Sequence, residues 1–193
     1  MEIAILRHGM PEPISEKPIT ASDFIDWIRR YNESGLSKTS HPSQAASAYA
    51  QACNVIVSST LPRSIDSAKT LDAEKLIISD KQFIEAGLPS ANWRLLKMSP
   101  NIWAMIFRVL WLLGYANNSE SLNEAKQRAS QAADTLIQLA REQQKVLFVG
   151  HGIFNRLLAK ELRNRDWSGP RSPGSTHWSF GVYKQLRSSD EAK

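Results

Sequence analysis

The chain has 193 residues, 42% of them hydrophobic and 22% charged, which suits a soluble globular domain with room for a full core. Its net charge of +5 fits anionic small molecules, and the absence of a dense Lys/Arg stripe with interleaved aromatics argues against nucleic acid. One cysteine, Cys53, leaves no internal disulfide and no Cys-rich zinc site; with no basic region and apolar core at the N-terminus, a cytoplasmic setting is the expectation.

The first strand is expected over residues 2–6, where Ile3-Ala4-Ile5-Leu6 has the length and β-branching of a strand covered on both faces. It ends in Arg7, His8 and Gly9, followed by Pro11. Thr20-x-x-Asp23 then reads as a capping box, with Phe24, Ile28 and Tyr31 at helical spacing until Gly35. Ser43 is placed to cap a second, alanine-rich helix. A second strand is expected at 54–58, then a helix with Leu61, Ile65, Ala68 and Leu71 on one face, and a third strand at 75–79. Residues 101–116, NIWAMIFRVLWLLGYA, are apolar on nearly every helical face, yet the run carries Arg108 and is shorter than the roughly 20 residues a membrane span needs. Ser121-x-x-Glu124 is a second capping box, opening a helix with Ala125, Ala129, Ala132, Leu136 and Leu139 on one stripe. A fourth strand is expected at 145–150, a helix after Gly152 through Leu157, Leu158 and Leu162, and a last strand, at the sheet edge, in HWSFGVY. The last half-dozen residues are expected to fray.

Strands alternating with helices imply an α/β three-layer sandwich: a mainly parallel sheet with helices on both faces. One domain spanning residues 1–193 is expected, with residues 80–120 interrupting the alternation as an inserted cap. Three strand-to-helix turns each deliver a basic group to the same sheet edge: Arg7 and His8, then Arg63, then His151 between two glycines. In open α/β sheets that edge is where ligands bind. Arg63 falls in the first turn of its helix, where the helix dipole disfavours a cation unless an anion joins it.

LRHG near the N-terminus, VSSTLPRSIDSAKTL in the middle and VGHG near the C-terminus resemble, in order and separation, the signatures of the histidine phosphatase superfamily, which includes the phosphoglycerate mutases. The resemblance implies a phosphoglycerate mutase-like fold, His8 as a nucleophile that becomes phosphorylated, and Arg7, Arg63 and His151 as binders of the transferring phosphoryl group. His151 counts among the catalytic residues by the same likeness. Glu85, in FIEAGLP, matches the acid that donates a proton to the leaving group; Glu12, Glu16 and Asp80 are the other carboxyls near the motifs.

These residue types suit phosphoryl transfer, which asks for placement and stabilisation of charge spread over three oxygens. Guanidinium groups give forked hydrogen bonds to those oxygens, and a histidine nucleophile must keep one ring nitrogen unprotonated. The sequence contains no HExxH, acidic triplet or P-loop, so neither metal nor cofactor is expected. After the Arg-His-Gly triplet the chain reads MPEPISEKP, without the asparagine usual in phosphoglycerate mutases, and residues 89–115 lack their polar, tyrosine-containing segment. Hydrolysis of a phosphate monoester is therefore expected; a phosphomutase and a non-catalytic phosphate binder are the alternatives. The expected partner is a small phosphorylated substrate, with a phosphoprotein also open. The apolar helix is expected to pack one face on the domain while the other lines the cap or joins two subunits in a homodimer; a plain core helix is the alternative. In a cap, Arg94, Lys97 and Arg108 would meet further negative charge on the substrate.

Overall fold

A computed structural model describes residues 1–185 of the chain; the terminal residues expected to fray lie outside them. Six strands form the main sheet: β1 (Glu2–Arg7), β3 (Val55–Ser59), β4 (Ile77–Asp80), β6 (Lys145–Gly150), β7 (Trp167–Ser168) and β8 (Phe180–Gln185). Their order is β4-β3-β6-β1-β8-β7, with β4, β3, β6 and β1 parallel and β8 antiparallel to both β1 and β7. β2 (Ile19–Thr20) and β5 (Lys97–Met98) make a separate two-stranded ribbon.

The continuous apolar runs of β1 and β6 follow from coverage on both faces. Ile3 and Ile5 face α5 (Leu122–Gln143) and α6 (Gly152–Arg163), through Ala129, Ala133, Leu136 and Leu158. Ala4 and Leu6 face α2 (Gln44–Gln51) and α3 (Pro62–Leu71), through Ala46, Ala50, Ala68 and Leu71. The alanine stripes let these helices lie close to the sheet. Both capping boxes form as expected: Thr20 with Asp23 opens α1 (Ala21–Glu33), and Ser121 with Glu124 opens α5.

The last strand departs from expectation. It begins at Phe180 rather than at 177, because Trp178 adopts a positive φ of 64°, and it pairs with β1 inside the sheet. The edge belongs to β7, two residues whose pairing leaves no periodic pattern in the sequence.

The apolar helix, α4 (Pro100–Leu112), lies away from the main sheet, against α1. Trp103 and Phe107 pack with Phe24 and Trp27, while Trp111 packs with Ala86 and Ala125. Ile102, Met105, Val109, Leu112 and Leu113 form an exposed apolar stripe, so α4 is no plain core helix. No helix among the described residues is long and apolar enough to cross a membrane.

Candidate active site

Arg7 stands opposite Gly150 across β1 and β6, and Ser58 opposite Val149 across β3 and β6, so His8, Ser59 and His151 reach the same level at the carboxyl edge. The His8 and His151 rings lie 5.0 Å apart, and His177 stands 5.3 Å from His8. A Cβ on Gly9 would come within 2.4 Å of the Trp178 ring, so only glycine lets the chain pass here.

His8 is held in one tautomer. Its Nδ1 lies 2.6 Å from the Gly9 carbonyl oxygen. A carbonyl can only accept, so Nδ1 carries the proton and Nε2 presents a lone pair. That lone pair accepts from Nε of Arg63 at 3.3 Å. Burial, and then the Arg63 guanidinium, push His8 down to about 3, so the ring is neutral at neutral pH. His151 is fully buried and is lowered by burial first, then by His8 and Arg63.

Arg63 is buried across the first turn of α3, where Pro62 at the helix start has no N–H to satisfy. Its Nη1 donates to the Tyr31 carbonyl at 3.1 Å, Nη2 to Oδ1 of Asn32 at 3.3 Å, and its guanidinium lies 4.6 Å from the centre of the Tyr31 ring. The turn after β3 is thereby tied to the end of α1. On the other side Arg7 donates through Nη1 to the Ser175 carbonyl.

Glu85 closes the group. Its Oε1 accepts from the backbone N–H of Ala86 at 2.9 Å and of Phe154 at 2.8 Å, and its Oε2 from Ile153 at 3.1 Å. His151 sits at the N-cap of α6 but makes no side-chain cap bond, so the Glu85 oxygens accept from the N–H groups at that end of the helix. A Cβ on Gly152 would be 3.7 Å from both Oε2 of Glu85 and Cζ of Arg7, which puts the two side chains beside the same helix start.

Buried polar groups are nearly always hydrogen-bonded. Among the described residues three buried side-chain atoms are not, and two of them, Nε of Arg7 and Nδ1 of His151, belong to this cluster. Unsatisfied nitrogens beside a buried guanidinium are what an anion would complete.

Four contributors to the site are not marked by the sequence motifs. Tyr31 enters the sequence reading only within a helical apolar pattern and Asn32 not at all, although both receive Arg63. Ser59 holds His151, with its Oγ 2.6 Å from Nε2. His177, whose Nδ1 lies 3.0 Å from the His8 carbonyl oxygen, was read as part of a strand; a histidine in a Gly-, Pro- and Ser-rich loop was the available signal.

A cavity of about 340 Å³ opens from Arg63 and Glu85 between α1 and α4, with Arg108 on its wall. Arg108 points its terminal nitrogens at backbone: Nη1 at the Gly87 carbonyl, 3.2 Å, and Nη2 at the Ala86 carbonyl, 2.8 Å. Arg94 and Lys97 do not line this cavity. Both are exposed, Arg94 beside a shallow groove with Trp93 and Leu96, and Lys97 in the β2–β5 ribbon. Glu12, Glu16 and Asp80 are exposed and off the cavity as well, and Asp80 is occupied in accepting from the Gln82 N–H.

The family model of the histidine phosphatase superfamily, branch 1, matches residues 3–185. The chain belongs to that superfamily. No curated protein matches it in sequence. Among solved structures it is similar to a mycobacterial glucosyl-3-phosphoglycerate phosphatase, at 18% identity over 94% of this chain and 88% of that one, with a TM-score of 0.59. A structure described as mycobacterial hydrolase 1 is 20% identical over 97% of this chain and 99% of that one, also at 0.59. A phosphoserine phosphatase from Entamoeba histolytica, solved with 3-phosphoglyceric acid, is 17% identical over 84% and 80%, at 0.55. These likenesses establish that this histidine phosphatase shares their α/β architecture.

Proposed function

We propose that this histidine phosphatase hydrolyses phosphate monoesters, without a metal, through a phosphohistidine on Nε2 of His8. The observation that carries the reading is the His8 tautomer: a buried, neutral ring with its proton fixed on Nδ1 by Gly9 and its lone pair directed to Arg63. In the first step Nε2 bonds to phosphorus and the ester P–O bond breaks. Arg7 and Arg63 neutralise the equatorial oxygens, with the guanidinium of Arg63 re-pairing from its backbone partner to the phosphoryl group. In this reading the Ser59 hydroxyl, whose oxygen accepts from the Leu61 N–H at 3.3 Å, donates its hydrogen to Nε2 of His151. The His151 proton then sits on Nδ1, the unpartnered nitrogen, as a donor to the phosphoryl group. Glu85 gives its proton to the leaving alcohol oxygen. In the second step Glu85 takes a proton from water, the water oxygen bonds to phosphorus, the P–N bond breaks and inorganic phosphate leaves.

The test is phosphate release from p-nitrophenyl phosphate together with acid-labile phosphate on the quenched protein. Wild type should turn over and label; His8→Ala should do neither while keeping its circular dichroism. Labelling retained in His8→Ala would assign the nucleophile elsewhere, and turnover that requires a bisphosphate would make the enzyme a mutase.

A further inference from the structure

The cavity beyond the phosphoryl site has a chemistry of its own. It starts at Arg63 and Glu85, the groups that face the ester bond in the proposed reaction, and runs between α1 and α4. Its walls are Trp27, Ile28, Tyr31, Leu61, Leu88 and Ala104. Most of its lining surface is apolar. The Asn32 carbonyl oxygen accepts from Arg63. Arg108, a cation deeper in the cavity, donates through Nη2 to the Ala86 carbonyl and through Nη1 to the Gly87 carbonyl, and lies 4.7 Å from the centre of the Trp111 ring. The carbonyls it bonds are satisfied in the same act. Asn101 is exposed at the rim.

We infer that the alcohol half of the substrate is apolar, an alkyl or aryl group without further charge and with few hydroxyls. The inference rests on the phosphomonoester reading and specifies the other half of that substrate. A sugar would bring several hydroxyls against walls that are mostly apolar, and burying a hydroxyl without a partner is unfavourable. A second phosphate would need more positive charge than Arg108, which is directed at the backbone after Glu85, brings to the cavity. An apolar chain needs neither. It exchanges water against Trp27, Ile28 and Leu88 for direct contact, and each methylene buried in such a pocket strengthens binding up to about fourfold.

The experiment compares primary alkyl phosphates whose leaving alcohols have similar acidity: ethyl, butyl and hexyl phosphate against glycerol 3-phosphate and glucose 6-phosphate. For the wild-type protein kcat/KM should climb with chain length, and hexyl phosphate should exceed glucose 6-phosphate at least tenfold. Leu88→Asn should shrink the ratio of hexyl to ethyl phosphate, and Ala104→Trp, which fills the cavity, should shrink it more. Hydrolysis of p-nitrophenyl phosphate that depends on His8, with no preference for hexyl over ethyl phosphate or with glucose 6-phosphate turned over as well as hexyl phosphate, would overturn the apolar inference alone. A folded wild-type protein that releases phosphate from none of these esters would overturn the phosphatase reading, and this inference with it.

Discussion

Individual side chains here serve the reacting group and the frame at once, which makes their replacement informative. Arg63 binds His8, the Tyr31 carbonyl and Asn32 through separate nitrogens. Arg63→Ala should lower kcat about a hundredfold, on the order of 3 kcal/mol by analogy with the loss of one oxyanion-hole donor, and should loosen the junction of α1 and α3. Arg63→Lys restores charge without the fork and should recover only part of the rate. Glu85 separates by substrate. Protonation matters most for a poor leaving group, so Glu85→Gln should impair hexyl phosphate far more than p-nitrophenyl phosphate. Equal losses on the two esters would make Glu85 purely a cap for α6, a role the two hydrogen bonds from Ile153 and Phe154 already give it. Arg7, His8, Arg63 and His151 could be read from sequence because each follows or opens a regular element. Ser59 could not, since only the fold brings it to His151, and His177 offered no more than its loop composition until the fold set its ring 5.3 Å from His8.

At the scale of an element, α4 carries the clearest contrast. Its sequence announces a helix apolar all round, and the structure divides that helix in two. Trp111 is fully buried, and its indole N–H donates to the Glu120 carbonyl at 2.7 Å. Trp111→Ala should cost about 3–5 kcal/mol, read as a drop in urea midpoint. Met105, 62% exposed, should accept glutamate with a change of about 0.5 kcal/mol or less. A large loss from Met105→Glu at low protein concentration would mean that the outer stripe is covered in solution. Arg108 belongs to the same element but acts on another. Through the Ala86 and Gly87 carbonyls it holds the backbone that presents Glu85, and it lines the cavity as well.

For the whole molecule, the neutral histidines at the site tie stability to pH. Burial lowers both His8 and His151 from the ordinary value of 6.5, His8 to about 3. Below pH 6.5 the unfolded chain therefore takes up protons that the folded protein refuses, and acid favours unfolding. Through His8, stability should fall as pH drops from about 6.5 towards about 3, by about 1.4 kcal/mol per pH unit, and His151 adds to the loss in the same direction. Urea titrations between pH 7.5 and 4.5 measure this slope. The double variant His8→Asn, His151→Gln should flatten it, and an unchanged slope would place the acid sensitivity outside the site. Such coupling of a site to the global fold arises because the histidines stand where β1 and β6 end, inside the shared core. The strand and helix periods, both capping boxes and the three strand-end motifs were legible in the sequence, because each depends on residues close together in the chain. From them followed the layered α/β architecture and the edge at which the basic groups gather. The interior place of β8, the two-residue edge strand β7, the engagement of Arg108 with backbone and the apolar cavity between α1 and α4 were not legible. Each depends on which distant segments meet, and that is settled by packing: whether a guanidinium finds a carbonyl or solvent, and which face of an apolar helix finds a partner, has no counterpart in local spacing.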